Sequence, residues 1–233
     1  ALLMRSGIGP GEVLKTAGIA THCAIESVGE NLQEHGLAVQ TRYVSMPTFN
    51  STFGPIGLAR HALSFILGRK GPLGAPLVQA MALARSDRSL EYPDIQLHFL
   101  PFVYRLDPSR RWIKVVMPRR AGVTIGASVC HPRSRGRVRI DAAGNAFIDH
   151  RLVGHADDMA TLVAGVKLGE KIFAAPALAD VVTGKRHPRE IPQDDIGWSE
   201  YVRNMVGLTY HPAGTCRMGT DDGAVVDPAL RVR

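Results

Sequence analysis

Tyr210-His211-Pro212-Ala213-Gly214-Thr215-Cys216-Arg217-Met218-Gly219 is the most informative stretch of the chain. Proline restricts the residue before it to extended backbone, so His211 stands outside any helix. The glycine turn behind it fixes where the imidazole is presented. Imidazole is the side chain best suited to trade protons near neutral pH. A bare His-Pro pair is more often a surface turn, so the reading depends on the rest of the run and on the chain around it.

The 233 residues suffice for one large domain or two small ones. A net charge of +7 leaves open nucleic acid, a membrane surface or an acidic substrate as partner. The three cysteines, Cys23, Cys130 and Cys216, are odd in number and far apart, which gives no disulfide framework and no zinc pair. They point to a reducing compartment. The scattered histidines give no HExxH spacing, so no metal is expected. No apolar run spans a bilayer. Ala1-Leu2-Leu3-Met4 has no basic segment or cleavage site, and both chain ends read as the interior of a longer protein.

Working outward, Ser6-Gly7-Ile8-Gly9-Pro10 reads as a tight turn opening a helix over 11–17, with Gly18 as its stop. Val28-Gly29-Glu30-Asn31-Leu32-Gln33-Glu34-His35 is a glycine turn leading into polar residues. Residues 47–76 read as a loop–helix insertion, with apolar side chains at helical spacing from Ile56 to Leu67. From 93 the period becomes two, and Ile95, Leu97 and Phe99 are expected inward on a strand. Trp112–Met117 and Val123–Cys130 are further β runs. In 135–140 three arginines share one face and Val138 and Ile140 the other. That arginine face is expected to be solvated, without the motif context of a nucleic-acid site. Several strands broken by turns predict an antiparallel sheet with one wet face.

Asp157-Asp158 opens a helix whose stripe of Met159, Leu162, Val163, Val166 and Phe173 reads as core. Asp194-Asp195 precedes a second helix through Tyr201 and Val202. Asn50-Ser51-Thr52 matches a glycosylation sequon, a short pattern frequent by chance. Cys216 reads as a small buried residue rather than a nucleophile.

The ten-residue run around His211 resembles the C-terminal motif of the glucose–methanol–choline (GMC) flavin oxidoreductases. Five further blocks resemble that family in the same order: Leu2–Pro10; Gly29–His35, with Glu34 where aspartate is usual; Pro93–Phe99; Ser134–Val138; and Val225–Val232. The likeness is greatest to choline dehydrogenase-like and bacterial alcohol dehydrogenase-like members, with Gln79-Ala80-Met81 a departure near the substrate side. No GxGxxG fingerprint occurs in the chain.

The resemblance implies an α+β chain: an antiparallel-sheet substrate domain with helices, plus remnants of an FAD-binding α/β domain. It places the FAD-domain remnant at 1–40, the substrate domain at 41–203, and a return segment carrying the catalytic histidine at 204–233. It implies FAD as cofactor and an FAD-dependent alcohol dehydrogenase or oxidase as activity. In that chemistry the alcohol carbon gives hydride to flavin N5, with His211 as base or hydrogen-bond partner. Asn31, Leu32, Gly7 and Gly9 become the candidate cofactor-binding residues. The implied partners are a small alcohol and an electron acceptor that is a quinone, a carrier or oxygen, with no nucleic acid and no transmembrane segment. The expected location is cytoplasmic or peripheral to the inner membrane. The competing readings are an inert truncated domain that does not bind FAD and a basic binding module.

Overall fold

The computed structural model describes residues 1–107 and 114–233. Trp112 and Ile113 of one expected β run lie outside the described residues, while Lys114–Val116 form a strand. Two compact units result: Leu37–Cys130 with Ala160–Val206, and Ala1–Gly36 with His131–Met159 and Gly207–Arg233.

The first of these is built on an antiparallel sheet. Its strands run in the order Val182–His187, Gly36–Val44, Gly122–Val129, Ile95–Leu100, Ala80–Ala84. Ile95 and Leu97 are buried as their alternation predicts, while Phe99 is only half-buried. Gly122–Val129 is buried at every position. The centre of the sheet is therefore covered on both faces, which corrects the expectation of one wet face. The edge strand Ala80–Ala84 is the exposed one.

The long helix Ala156–Ala174 opens on Asp157 and Asp158, as acids at the positive end favour. Leu162, Val163, Val166 and Phe173 are buried along its core stripe. Two glycines four apart set how closely it seats. A Cβ on Gly165 would lie 2.8 Å from the Ala127 Cβ, and one on Gly169 would lie 2.1 Å from Gln40 Oε1. Only glycine permits that approach.

Beneath the helix lies a buried polar network. The Arg42 guanidinium pairs with Glu170, donates to the carbonyls of Thr41 and His187 (2.9 Å each), and stacks on the Phe173 ring at 4.8 Å. Gln40 Nε2 donates to Glu170 at 2.5 Å. A buried guanidinium persists only when paired in this way. The second helix, Asp195–Met205, is capped by Asp194, which accepts from the Gly197 amide at 2.8 Å. Its Tyr201 hydroxyl donates to the Val39 carbonyl at 2.6 Å, and burial pushes its acidity well below that of a free phenol.

Asn50 of the sequon is buried. Its amide donates to the carbonyls of Val103 (2.7 Å) and Pro118 (2.8 Å) and accepts from the Val103 amide (2.7 Å). Asn50 is thus a structural pin, with no free amide for a glycan.

The other unit has a small core of Met4, Leu14, Val28, Ile140 and Val225. The helix Gly11–Thr16 ends at Ala17, with Gly18 at φ +68° as the expected stop. The segment 131–159, expected within a 41–203 sheet domain, groups here instead. Among the described residues its strands Arg137–Ile140 and Ala146–Asp149 pair with each other and with no other strand. Ile140 enters this core, and the Val138 amide donates to the Gly29 carbonyl at 2.7 Å.

Candidate active site

His211 is held by its backbone. Tyr210 before it takes φ +66°, a left-handed turn that reverses the chain. The His211 amide then donates to both oxygens of Glu34, at 3.0 Å each. Glu34 is only 4% exposed. Its carboxylate also accepts from the His35 amide and the Thr209 hydroxyl, each at 2.9 Å. The Thr209 hydroxyl also lies 3.1 Å from the His35 carbonyl. A buried carboxylate saturated by donors is a rigid fixture.

Behind the histidine the chain is laced to the 29–35 loop. Gln33 and Ala213 exchange two backbone hydrogen bonds of 2.8 and 2.9 Å, and the Gly29 amide donates to the Thr215 carbonyl at 2.9 Å. Gly214 sits at φ +94°, and a Cβ there would lie 2.3 Å from the Asn31 carbonyl oxygen. The histidine residue itself is exposed, and its ring meets His35 edge-on with centroids 5.7 Å apart. An imidazole on a fixed backbone with an open side can exchange a proton with a bound molecule.

The loop is anchored in turn by the hairpin. Leu32 and Gly136 exchange backbone bonds of 3.0 and 2.8 Å. Arg135 Nε donates to Asn31 Oδ1 at 2.9 Å, Arg139 pairs with Glu30, and Arg137 lies 3.9 Å from Asp149. This corrects the expectation of a merely solvated arginine face, because all three arginines engage partners of the same unit. A further correction concerns Cys216, which is exposed rather than buried.

The structure thus brings His211, Asn31 and Leu32 together. Asn31 takes φ +60°, and its side chain joins Arg135 to the Gly214 carbonyl (3.4 Å). Leu32 is buried. Gly7 and Gly9 are not in direct contact with this group. The Gly7 carbonyl accepts from the His22 and Cys23 amides, and a Cβ on Gly9 would meet Met4 at 3.1 Å. Gly9 thus abuts Met4, a core residue that also lies against Gly29 of the loop, while Gly7 serves its own turn. Glu34 and Thr209 were missed as supports. The one sequence signal was the acidic residue beside His35, which reads only as a variant of a family block. Among the described residues no cluster of His, Cys, Asp and Glu could hold a metal ion.

An exposed imidazole on a backbone fixed by Glu34 is compatible with facing the redox end of a flavin. No GxGxxG phosphate-binding fingerprint occurs among the 233 residues.

Comparison with known proteins finds relatives along the whole chain. Residues 132–233 match the family model described as GMC oxidoreductase. The chain is 34% identical to an alcohol dehydrogenase [acceptor] of Pseudomonas putida, covering 100% of the chain and 42% of that protein. It is 32% identical to an oxygen-dependent choline dehydrogenase of Brucella ovis (99% and 42%) and to an uncharacterised GMC-type oxidoreductase of Mycobacterium bovis (100% and 43%). The chain therefore spans well under half the length of these relatives. Among solved structures, pyridoxine 4-oxidase from Mesorbium loti superposes with a TM-score of 0.78 at 26% identity, over 100% of this chain and 41% of that one. A formate oxidase of Aspergillus oryzae shares the fold, with a TM-score of 0.83 at 23% identity over 99% and 45%. Residues 132–233 of the chain carry the C-terminal domain of the GMC oxidoreductase family.

Proposed function

We propose that this chain is the substrate-side and histidine-bearing part of an FAD-dependent oxidoreductase that acts on the CH–OH group of an alcohol. The observation that carries the reading is the presentation of His211. Its amide is clamped by a buried carboxylate, its following turn is stitched to the Asn31 loop, and its residue stays exposed. The relatives named as alcohol and choline dehydrogenases support the substrate class.

FAD, when bound, supplies hydride acceptance. His211 takes the hydroxyl proton or hydrogen-bonds the oxygen as it becomes alkoxide-like. Glu34 and Thr209 position that imidazole through the backbone. Asn31 and Leu32 form the cofactor-side loop, with Gly9 supporting it from the core and Gly7 shaping the turn that precedes Gly9. The alcohol is small, and reduced cofactor passes its electrons to a quinone, a carrier or oxygen. No described helix is long and apolar enough to cross a membrane, and we place the enzyme in the cytoplasm or at the periphery of the inner membrane.

The test is the visible spectrum of the purified chain after mixing with FAD and gel filtration. A retained flavin band means that these segments hold the cofactor's redox end unaided. A colourless protein means that an enzyme of the relatives' length is required, and the same assay on that enzyme decides the proposal. No flavin there either defeats it and favours the inert-domain reading.

A further inference from the structure

The helix Pro55–Gly68 buries none of its residues. Ile56, Leu63, Ile66 and Leu67 recur at helical spacing, which puts them on one side, and all are exposed; Ile66 and Leu67 are 74% and 77% exposed. Fourteen residues are too few to span a bilayer but enough to lie in its interface.

The charge around this face is one-sided. From Ser45 to Ser86 the sequence holds no aspartate or glutamate, although the whole chain has 21 acids. The same stretch carries Arg60, Arg69, Lys70 and Arg85. Arg69 and Lys70 follow the helix directly, where cations also suit its negative end. The Arg69 guanidinium lies over the Phe65 ring at 5.3 Å, which keeps this charge beside the apolar side chains.

From these observations we infer that the helix Pro55–Gly68, with Arg60, Arg69 and Lys70, is a docking surface for an anionic lipid membrane. Its apolar face enters the headgroup boundary while the cations meet lipid phosphates. A second copy of the chain is the poorer occupant. A two-fold contact would set this acid-free basic face against itself, like charge on like.

The experiment is co-sedimentation of the chain with vesicles of phosphatidylcholine alone or mixed with phosphatidylglycerol. Binding is expected to the mixed vesicles, at least tenfold over phosphatidylcholine, and weakened by salt. Each cation near an anionic surface contributes about fivefold, so R60Q/R69Q/K70Q together should weaken binding about a hundredfold. Ile66→Asp with Leu67→Asp should abolish binding. Both side chains are exposed, so the unfolding temperature of that variant should be unchanged. Equal binding by both variants and wild type overturns the proposal, as does failure of the wild-type chain to bind. Concentration-dependent dimers in place of vesicle binding would assign the face to a second copy and overturn it too. A chain that binds, set beside an enzyme of the relatives' length that does not, would mean this face is covered within that enzyme, which also overturns it.

Discussion

Replacing the buried Glu34 with alanine removes the acceptor for three part-buried donors: the amides of His35 and His211 and the hydroxyl of Thr209. Each donor left unsatisfied costs about 1–3 kcal/mol, and water entering the vacated space recovers part of that. Thr209 also keeps a second partner in the His35 carbonyl. A net loss of about 3–5 kcal/mol follows, in the range for breaking a buried charged network. Glutamine keeps one carbonyl oxygen but turns an amide group toward the His211 N–H, a donor facing a donor. It also loses charge assistance worth about 1 kcal/mol per bond, so Glu34→Gln should cost about 2 kcal/mol. For a chain of this size 1 kcal/mol moves the midpoint by about 2–4 °C. Glu34→Gln should therefore melt about 4–8 °C lower and Glu34→Ala about 6–20 °C lower, followed by circular dichroism. An unchanged midpoint for Glu34→Ala would refute the clamp, and with it the account of how His211 is held.

Other expectations test separate parts of the structure. Gly214→Ala combines φ +94° with a Cβ 2.3 Å from the Asn31 carbonyl, so it should destabilise by at least about 2 kcal/mol in urea unfolding. Asn50→Ala breaks three short hydrogen bonds and should cost about 3 kcal/mol, while mass spectrometry of the chain secreted from a glycosylating host should find Asn50 unmodified. Burial holds the His187 imidazole below its ordinary pKa, with Arg186 and Arg189 adding to the effect. The unfolded chain then binds this proton more readily than the folded one. Its contribution to stability is complete above about pH 6.5 and is lost as pH falls through the lowered folded value. His187→Gln should accordingly show a smaller drop in melting temperature between pH 7.5 and 5.5 than wild type; an equal drop would remove His187 as a cause.

Local signals carried far in this chain. Asp157 and Asp158 marked a helix start, Gly18 a helix stop, and the alternation through Ile95 and Leu97 a strand, because each is decided by neighbours in sequence. Packing partners were not legible in the same way. Gly165 and Gly169 look like weak points in a helix until the sheet beneath them is known. The alternating arginines of 135–139 read as a wet face because the partners of Arg135 and Arg139, Asn31 and Glu30, lie about a hundred residues away. The same distance hid the membership of 131–159 in the histidine-bearing unit. The helical spacing from Ile56 to Leu67 predicted a helix, but periodicity does not say what an apolar face packs against. At the candidate site, His211 stood out because proline and glycine flank it. Glu34 did not, because a carboxylate's role depends on donors brought to it by the fold.

The central claim is that His211 serves the oxidation of an alcohol. The most direct test is steady-state turnover of His211→Ala in an enzyme of the relatives' length, with flavin content measured alongside. The account predicts retained flavin and turnover lower by about 10²–10⁴, the usual share of general acid–base catalysis. Wild-type turnover by that variant, with flavin bound, would contradict it.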